Sequence, residues 1–449
     1  MNIFSTGPQI SLAEMLALRD ERAALQADML QTHAPSCLVC LSLNIPGPVK
    51  RGFLSDAFFR TSCKKLEALL AQFPLLGREA LDRPGGLFLC LSLRADPIPV
   101  KEQTIRLEEE APVCRLLDID VLDGAGHKIS RGQAGRPERR CLLCDRPAPL
   151  CARSRTHSVE QLQAHTRHLL WSWYRDDRAQ AIGLTAQKAL LYEVSVTPKP
   201  GLVDRNNTGS HNDMDFFTFL DSACALLPYF THCARCGLEA PELPPEQALE
   251  QLRIPGRIAE SEMLRATGGV NTHKGAIFSL GLLCAAAGRL SLRTAPTSSA
   301  EVAALAGRLS SPAMKDLGHT ADTPGQSAFL HHHLTGARGE AAAGFPVELQ
   351  ALDQLKQHLA RGSDINDALA LVLLFLLTQT QDTNLVKRRG IGALDFARHS
   401  ARELLSHRLP TAGELRALDL AFIRENLSPG GCADLLAVVC FLWFWDEAN

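Results

Sequence analysis

The spacing of apolar residues changes character part-way along the chain, and the change predicts two kinds of domain. From about residue 36 to 130, short apolar runs bounded by Pro and Gly, such as CLVCLSLNI and LFLCLSL, are typical of strands. The stretch VCRLLDIDVLDGAGHKIS predicts a hairpin that turns at Asp123-Gly124. Helical patterns flank these strands at Ser11–Leu30 and Ser55–Ala71. We therefore predict an α+β N-terminal domain with a mainly antiparallel sheet.

Beyond about residue 159 the strand pattern almost disappears and helical periodicity replaces it. An amphipathic helix is predicted after Ser158, followed by helices near 177–195, 214–233, 246–266, 275–289, 300–310, 347–361, 364–380, 392–407, 411–425 and 431–446. Several are apolar all round, as in the interior of a multi-layer bundle. We predict an all-α multi-helix bundle domain, with the domains at 1–172 and 173–449.

Composition and charge exclude several classes of protein. The net charge is −2 and no basic stripe is present, so binding to nucleic acid is not expected. The longest apolar runs, Ala368–Leu377 and Leu435–Trp445, are too short to span a bilayer, and we expect no membrane segment. The amino end lacks the pattern of a signal peptide, so a cytoplasmic protein is expected. The 14 cysteines are then expected to be thiols or metal ligands rather than disulfides.

In the helical half, the stretch EVSVTPKPGLVDRNNTGSHNDMDFF concentrates ionisable groups around a rigid turn. Pro198 and Pro200 end the preceding helix, so that Asp204, His211 and Asp213 can converge from one loop. Carboxylates with a neutral imidazole suit a divalent metal or general-base catalysis. The alternative is a polar loop that caps the next helix.

Three further polar segments interrupt the apolar helices. ESEMLRATGGVNTHKGAIFSLG places a Gly-rich turn before a helix, which suits phosphate, although a simple helix hairpin is the alternative. Its polar residues are Glu260, Glu262, Asn271, His273 and Lys274. QDTNLVKRRG contributes Asp382, Asn384, Arg388 and Arg389, and LTGARGEAAAGFP contributes Arg338 and Glu340. We infer that the four polar loops form one shared pocket at an end of the bundle.

These motifs, together with NLSPGGCADLL, closely resemble triphosphoribosyl-dephospho-CoA synthase from about Leu170 to the C-terminus. The resemblance implies that a ribose 2′-hydroxyl of 3′-dephospho-CoA attacks the anomeric carbon of ATP and adenine leaves. It also implies Mg²⁺, with Asp204 and Asp213 as candidate metal ligands. Candidate catalytic residues are Asp204, His211, Asp213, Glu260, Glu262, His273 and Asp382, which the sequence does not sort into ligands and base. Candidate substrate-binding residues are Lys199, Arg205, Asn271, Lys274, Asn384 and Arg388.

One position departs from the pattern of that family. Arg389 stands where the family usually has the first Gly after DTN. If that glycine requires positive φ, the loop must differ locally.

In the first half, Asp118 and Asp120 alternate along RLLDIDVL and are predicted to share one face of a strand. Two carboxylates on one face suit Mg²⁺ for phosphoryl or nucleotidyl transfer, and the alternative is an exposed polar face of an edge hairpin. Lys50, in IPGPVKRG, can reach a phosphate or can simply follow a Pro-Gly turn.

The stretch RRCLLCDRPAPLCARSRTH has the spacing C-x2-C-x6-C-x5-H at Cys141, Cys144, Cys151 and His157. This spacing can hold a structural zinc ion. Buried thiols, or an anion-binding cluster of arginines, are the alternatives. The arginines concerned are Arg131, Arg139, Arg140, Arg153 and Arg155.

This half, from about Ile10 to Leu170, resembles holo-citrate lyase synthase in LALRDERAALQ, PGPVK, LLDIDVL, ISR, RRCLLC and CARSRTHS. The resemblance implies transfer of phosphoribosyl-dephospho-CoA to a serine of the citrate lyase acyl carrier (gamma) subunit, with release of pyrophosphate. Asp118 and Asp120 would hold Mg²⁺. Binding of the substrate is implied for Arg19, Arg22, Lys50, Arg131, Arg139 and Arg140. Leu117 stands where a Trp is common.

The two resemblances fit one pathway, since the product of the second half is the substrate of the first. The alternatives are a Mg²⁺-dependent glycohydrolase of ADP-ribose-like bonds, which uses water as acceptor, and a non-catalytic citrate lyase assembly factor. In the latter, the Cys/His region would be a zinc-stabilised docking module for the carrier subunit.

Overall fold

The computed structural model describes residues 7–34, 37–317, 329–406 and 409–448. The chain divides into two compact units between Tyr174 and Arg175, inside the helix Val159–Ser195. We call them the N-terminal unit and the helical unit. This division describes contacts in space, and the domain boundary at residue 172 stays a prediction.

The N-terminal unit contains a four-stranded sheet in the order β2-β3-β1-β4, and all its strand pairs are antiparallel. The sequence predicted a mainly antiparallel sheet but neither the number of strands nor their order. Its strands are β1 Cys37–Leu43, β2 Leu75–Arg83, β3 Gly86–Leu93 and β4 Leu117–Asp123. Its helices are α1 Leu12–His33, α2 Phe53–Leu70, α3 Pro97–Glu109 and α4 Ala148–Ser154, with a 3₁₀ helix at Pro112–Leu116. Strand β2 and helix α3 were not predicted.

The hairpin predicted at Asp123-Gly124 is only partly present. The chain turns there, with the Asp123 amide donating to His127 O at 2.9 Å. The returning arm pairs at a single bridge between Leu122 and Lys128 and forms no strand. Strand β4 therefore lies at an edge of the sheet, hydrogen-bonded to β1 alone.

Strand β4 shows the predicted alternation of side chains. Leu117, Ile119 and Val121 are buried, whereas Asp118 and Asp120 lie on the other face. Two side chains of α3 cover the open edge of the strand: Lys101 Nζ donates to Ile119 O at 2.8 Å. The Ile119 amide in turn donates to Glu108 Oε1 at 3.2 Å. These bonds satisfy edge groups that would otherwise be unpaired and hold the two aspartates in place.

The helical unit contains no strand among its described residues. Helix α5 is Val159–Ser195, and the others are α6 Phe216–Glu239, α7 Pro245–Ala266, α8 Lys274–Leu290, α9 Ser299–Ser310, α10 Gly336–Ala342, α11 Pro346–Ala360, α12 Ile365–Gln379, α13 Thr383–Arg389, α14 Ile391–Leu405, α15 Ala412–Arg424 and α16 Gly430–Ala448, with a 3₁₀ helix at Ser311–Leu317. Helices α8, α12 and α16 are buried on nearly all sides, as their uninterrupted apolar runs predicted.

Length and apolar content identify no single described helix that would cross a membrane. Helices α12 and α13 are long and apolar enough only when they are counted as one segment, and their axes are bent by 68° relative to each other.

Candidate active sites

The helical unit contains a cavity of about 1100 Å³ at which all four polar segments meet. Nine predicted site residues line it: Lys199, His211, Asp213, Glu260, Asn271, Lys274, Asp382, Asn384 and Arg388. Arg338 and Glu340 line it as well. A cavity of this size accommodates a nucleotide-sized ligand.

Asp382 lies in the cavity wall and caps two helices at once. Its Oδ1 accepts from the amides of Asn384 at 2.8 Å and Leu385 at 3.2 Å, at the start of α13. Its Oδ2 accepts from the Cys432 amide at 2.9 Å, at the start of α16. Burial raises the pKa of this carboxyl, and the amide donors oppose that rise. Asp382 therefore fixes two helix ends at the wall of the cavity that it lines.

Two acidic residues of the cavity were missed in the sequence. Asp434 accepts from the Ala276 amide in the first turn of α8, and a Cβ on Gly275 would lie 2.0 Å from Asp434 Oδ2. Burial, followed by the charges of Glu193 and Asp382, raises the pKa of Asp434 well above its usual range. Glu193 is itself buried and forms an ion pair with Lys199. Asp434 directly precedes the long apolar run of α16, and this placement was the signal that could have found it.

His211 is the centre of a hydrogen-bonded group on the cavity wall. Its Nε2 lies 2.8 Å from Ser428 Oγ, and Arg388 Nη2 lies 3.1 Å from the same nitrogen. Asp213 Oδ1 is 3.6 Å from His211 Nδ1. Burial, and then the Arg388 charge, lower the pKa of His211, so the imidazole is neutral at pH 7.

The Gly-rich turn before α8 delivers Lys274 to the cavity as predicted. Its Nζ lies 2.8 Å from Glu260 Oε2, and both side chains line the cavity. Arg389, which departs from the resembled family, ends α13 in helical conformation and donates from Nε to Glu425 O at 3.0 Å. The positive φ of 76° falls on Gly390 instead, so the arginine introduces no backbone strain.

Four predicted residues of this half do not reach the cavity. Asp204 is buried, and its oxygens accept from Thr197 Oγ1 and the amides of Lys199, Asn206 and Asn207, so it shapes the loop. This bonding does not support the predicted catalytic and metal-binding roles of Asp204. The other three are Glu262, paired with Arg265; Arg205, bonded to Asn366; and His273, buried beneath the cavity wall with Ser222.

His273 is a structural residue by its surroundings. Its Nδ1 lies 2.6 Å from Ser222 Oγ, and Phe219 packs edge-on against the ring. Burial lowers the pKa of His273 to about 3. A neutral imidazole with no access to the cavity does not fit the predicted catalytic role.

The N-terminal unit contains a smaller cavity of about 200 Å³, lined by Arg22, Lys50 and Asp118 among the predicted residues. Arg22 stacks over the Phe88 ring at 5.0 Å, and its buried Nε has no hydrogen-bond partner among the described residues. Burial lowers the pKa of Lys50, whose Nζ donates to Ile45 O at 2.7 Å. Arg51 and Asp56 line the pocket too and are paired with each other, which leaves Arg22, Lys50 and Asp118 outside that ion pair.

The other predicted residues of this half lie outside that pocket. Arg131 pairs with Glu108 and Glu109. Arg139 Nη2 donates to Arg115 O at 2.7 Å and Leu117 O at 2.6 Å. The remaining residues are Arg140, paired with Asp145 on the surface; Arg19, exposed on α1; and Asp120, paired with Lys128. The predicted phosphate-binding roles of these arginines gain no support from such contacts.

Both sites offer the hard oxygen donors that Mg²⁺ requires. In the helical unit, Asp382 and Asp434 lie close enough for the charge of one to raise the pKa of the other. In the N-terminal unit, partial desolvation and the neighbouring Asp120 raise the pKa of Asp118, although its side chain remains in contact with solvent. A divalent cation would relieve the repulsion in both pairs, so the residues present fit the metal.

The two halves of the chain match two transferase families. Residues 10–173 match CitX, apo-citrate lyase phosphoribosyl-dephospho-CoA transferase. Residues 179–449 match CitG, ATP:dephospho-CoA triphosphoribosyl transferase. The matches define the class of this protein, which is a bifunctional transferase.

Two similar proteins match this chain over nearly its whole length, and a third matches part of it. Protein CitXG of Haemophilus influenzae is 35% identical over 98% of this chain and 97% of its own length. Protein CitXG of Leuconostoc mesenteroides subsp. cremoris is 31% identical over 98% of each chain. The 2-(5''-triphosphoribosyl)-3'-dephosphocoenzyme-A synthase of Pectobacterium atrosepticum is 45% identical over 57% of this chain and 86% of its own. The chain therefore belongs to the CitG family, in the fused form in which a CitX region precedes it.

Proposed function

We propose that the chain makes and attaches the prosthetic group of citrate lyase. The helical unit forms 2′-(5″-triphosphoribosyl)-3′-dephospho-CoA from ATP and 3′-dephospho-CoA and releases adenine. The N-terminal unit then transfers phosphoribosyl-dephospho-CoA to a serine of the apo acyl carrier subunit and releases pyrophosphate. The observation that carries the proposal is the cavity of about 1100 Å³ lined by acids and cations within the CitG-matched residues.

In the first reaction, the 2′-hydroxyl oxygen of dephospho-CoA bonds to the anomeric carbon of ATP as the bond to adenine breaks. The electron pair of that bond leaves with adenine, which takes up a proton. The anomeric carbon gains positive charge on the way, and a carboxylate in the cavity wall, such as that of Glu193, favours that charge. Neutral His211, held near Asp213, is suited to accept the hydroxyl proton.

The triphosphate requires cations on the same wall. Lys274, Arg388 and Lys387 line the cavity and can contact its oxygens. Asp382 and Asp434 would hold Mg²⁺, which neutralises phosphate charge when bound. This arrangement orients the anomeric carbon while leaving the triphosphate intact.

In the second reaction, the serine hydroxyl of the carrier subunit gives up its proton to solvent as its oxygen bonds to the α-phosphorus of the triphosphate. The bond between the α-phosphorus and the bridging oxygen breaks, and pyrophosphate leaves with the electron pair. Arg22 and Lys50 line the pocket beside Asp118 and are suited to bind the phosphates, while Asp118 and Asp120 would hold Mg²⁺. Asp118 is in contact with solvent, which suits a site that must accept a serine from another protein.

The first reaction is tested with the purified full chain, Mg²⁺, ATP and dephospho-CoA, with free adenine followed by chromatography. We expect adenine only when dephospho-CoA is present. Adenine released without it would favour the glycohydrolase alternative. No adenine under any condition would favour the assembly factor.

The second reaction is tested by adding the apo acyl carrier subunit to the same mixture. We expect the mass of the carrier to rise by one phosphoribosyl-dephospho-CoA group while pyrophosphate accumulates. A carrier variant with its acceptor serine replaced by alanine is the control and should keep its mass. Adenine release without carrier modification would contradict the role proposed for the N-terminal unit and leave that of the helical unit intact.

A further inference from the structure

A cluster of thiols and one imidazole lies in the N-terminal unit, outside its small pocket. The donor atoms of Cys141, Cys144, Cys151 and His157 all lie within 4.8 Å of one another. Cys144 Sγ is 3.4 Å from Cys151 Sγ and 3.3 Å from His157 Nε2. Around tetrahedral zinc, with bonds of about 2.0 to 2.3 Å, neighbouring donors lie about 3.5 to 3.8 Å apart. The cluster therefore already has nearly the spacing of a zinc site.

The backbone around the cysteines is folded so that it supports thiolates. The Cys141 amide donates to Arg146 O at 2.7 Å and closes a tight turn. Within that turn, Cys141 Sγ accepts from the amides of Leu143 and Cys144. Amide donors directed at sulfur favour the thiolate form, which is the form that binds a metal.

The remaining ligands come from α4 and the residues that follow it. Cys151 lies in α4, and Arg155 ends the helix in the left-handed region with φ 47°. The Thr156 amide donates to Cys151 O at 3.3 Å, and this reversal brings His157 back towards Cys144. Residues separated by up to 16 positions thus converge on one point.

The alternatives from the sequence explain these positions less well. A disulfide requires the two sulfurs to be about 2.05 Å apart, which the distance between Cys144 and Cys151 exceeds. Thiols that serve as core residues need apolar neighbours, yet Leu150 beside Cys151 is 57% exposed. Arg153 and Arg155 are exposed as well and do not form an enclosed anion site.

We propose that Cys141, Cys144, Cys151 and His157 bind one structural zinc ion. The ion would fix a segment with little regular structure beside strand β4. Arg115 Nη2 donates to Arg140 O at 2.8 Å and Cys141 O at 2.6 Å, and Arg139 returns a bond to Leu117 O. These hydrogen bonds connect the turn that begins at Cys141 to the residues directly before Asp118. This inference stands independently of the proposed reactions.

The test uses the tag-free full chain, purified from zinc-supplemented medium and passed through a chelator column. We expect about one zinc ion per chain by mass spectrometry of the metal. Protein refolded with Co²⁺ in its place should show a near-ultraviolet thiolate-to-cobalt charge-transfer band. The affinity of Cys144→Ser for zinc should be at least about tenfold lower than that of the wild-type chain, because only three ligands remain to hold the ion. Hydrogen exchange should then rise in residues 139–157 and not in α2.

Matched variants separate this site from adventitious binding. Cys114→Ser removes a buried thiol elsewhere in the unit, and His332→Asn removes an exposed imidazole from the run of three histidines. Both should keep their zinc. Equal zinc loss in all variants, or a Cys144–Cys151 disulfide in the isolated protein, would overturn the proposal. If Cys144→Ser does not fold, the cobalt spectrum of the wild-type chain decides: absence of the thiolate band overturns the proposal.

Discussion

The two candidate sites differ in how far the protein has already neutralised their charges. In the helical unit, burial and then the charges of Glu193 and Asp382 raise the pKa of Asp434 in the wall of a cavity of about 1100 Å³. In the N-terminal unit, the pocket is about 200 Å³, and most of the charged groups near it have protein partners. Repulsion between neighbouring buried carboxyl groups is relieved when a divalent cation binds beside them. A small pocket beside a solvent-exposed carboxylate suits a reaction whose second reactant is another protein.

Helix geometry accounts for the difference. Asp434 and Asp382 sit at the first turns of α8, α13 and α16, where free amides stabilise negative charge. Several carboxylates can therefore be held together in a buried wall. On strand β4 no such ends are available, and Asp120 is instead balanced by Lys128. The helix N-termini at the cavity can thus stabilise more buried carboxylates than one face of strand β4 can.

The largest expected effect is that of Asp434→Asn on the first reaction. The amide keeps an acceptor for the Ala276 N–H but cannot ionise to hold a cation, so adenine release should fall about 100- to 1000-fold. The thermal midpoint should stay or rise, because asparagine cannot take on the negative charge that Glu193 and Asp382 oppose. Activity is measured by chromatography of adenine, and stability by circular dichroism.

Asp395→Asn, on the exposed face of α14, is the control for Asp434→Asn and should change neither quantity. Asp434→Asn and Asp395→Asn should both still modify the carrier when preformed triphosphoribosyl-dephospho-CoA is supplied. Unchanged adenine release in Asp434→Asn would show that the first reaction does not require the carboxyl group of Asp434.

The second effect in size is that of Asp118→Asn on carrier modification. Loss of one carboxylate from the pair with Asp120 should slow transfer about 100-fold, equivalent to about 2.7 kcal/mol. Adenine release should be unaffected. Carrier mass is followed over time with preformed substrate, with Asp28→Asn, exposed on α1, as the control. Equal loss of both reactions in a folded Asp118→Asn protein would contradict the separation of the sites.

Much of this contrast could be predicted from the sequence, because apolar periodicity records burial. Most of the longer helices and the face shared by Asp118 and Asp120 followed from it, whereas α3 and the short helices α4, α10 and α13 did not. Strand β2 was missed because it is a mostly exposed edge strand, LLGREALDR, with no alternation to detect. Its partner β3 is buried and was found.

Side-chain direction could not be predicted in the same way. Asp204 and Asp382 are chemically identical, yet one is directed at its own loop and the other lines the cavity. His211 and His273 differ likewise. A motif gives the type of group present, whereas the packing of distant helices decides whether that group reaches ligand or backbone. Asp434 was missed for the same reason, although it lies within the motif NLSPGGCADLL.

The third prediction concerns stability and compares two buried acids. Glu348 has no hydrogen-bond partner among the described residues, and burial and then Glu340 raise its pKa to about 8. The unfolded chain loses this proton near pH 4.5 and the folded chain keeps it to about pH 8. Stability should therefore fall as pH rises through that window, by about 1.4 kcal/mol per pH unit at most.

Glu348→Gln removes the titrating proton and should flatten this dependence between pH 5.5 and 7.5, by up to about 2.7 kcal/mol. Chemical denaturation followed by circular dichroism at the two pH values measures it. Glu447→Gln, exposed in α16, is the control. A slope that is the same in Glu348→Gln and the wild-type chain would mean that Glu348 is ionised in the fold. Glu108 of the N-terminal unit differs from Glu348 in that it is a buried acid with a charged partner, since Arg131 donates a hydrogen bond to it.

The smallest effect is expected for Arg140→Ala. Its guanidinium is paired with Asp145 on the surface, where the two side chains are 67% and 95% exposed, and such a pair contributes under about 1 kcal/mol. Because Arg140 does not line the pocket, the KM for triphosphoribosyl-dephospho-CoA should change less than about twofold. Arg22→Ala is the comparison, since it removes a half-buried cation that does line the pocket, and its KM should rise about tenfold. Steady-state carrier modification measures both. A tenfold rise for Arg140→Ala would mean that the arginines predicted from the sequence bind phosphate after all, and that the N-terminal unit also recruits its charged substrate outside the small pocket.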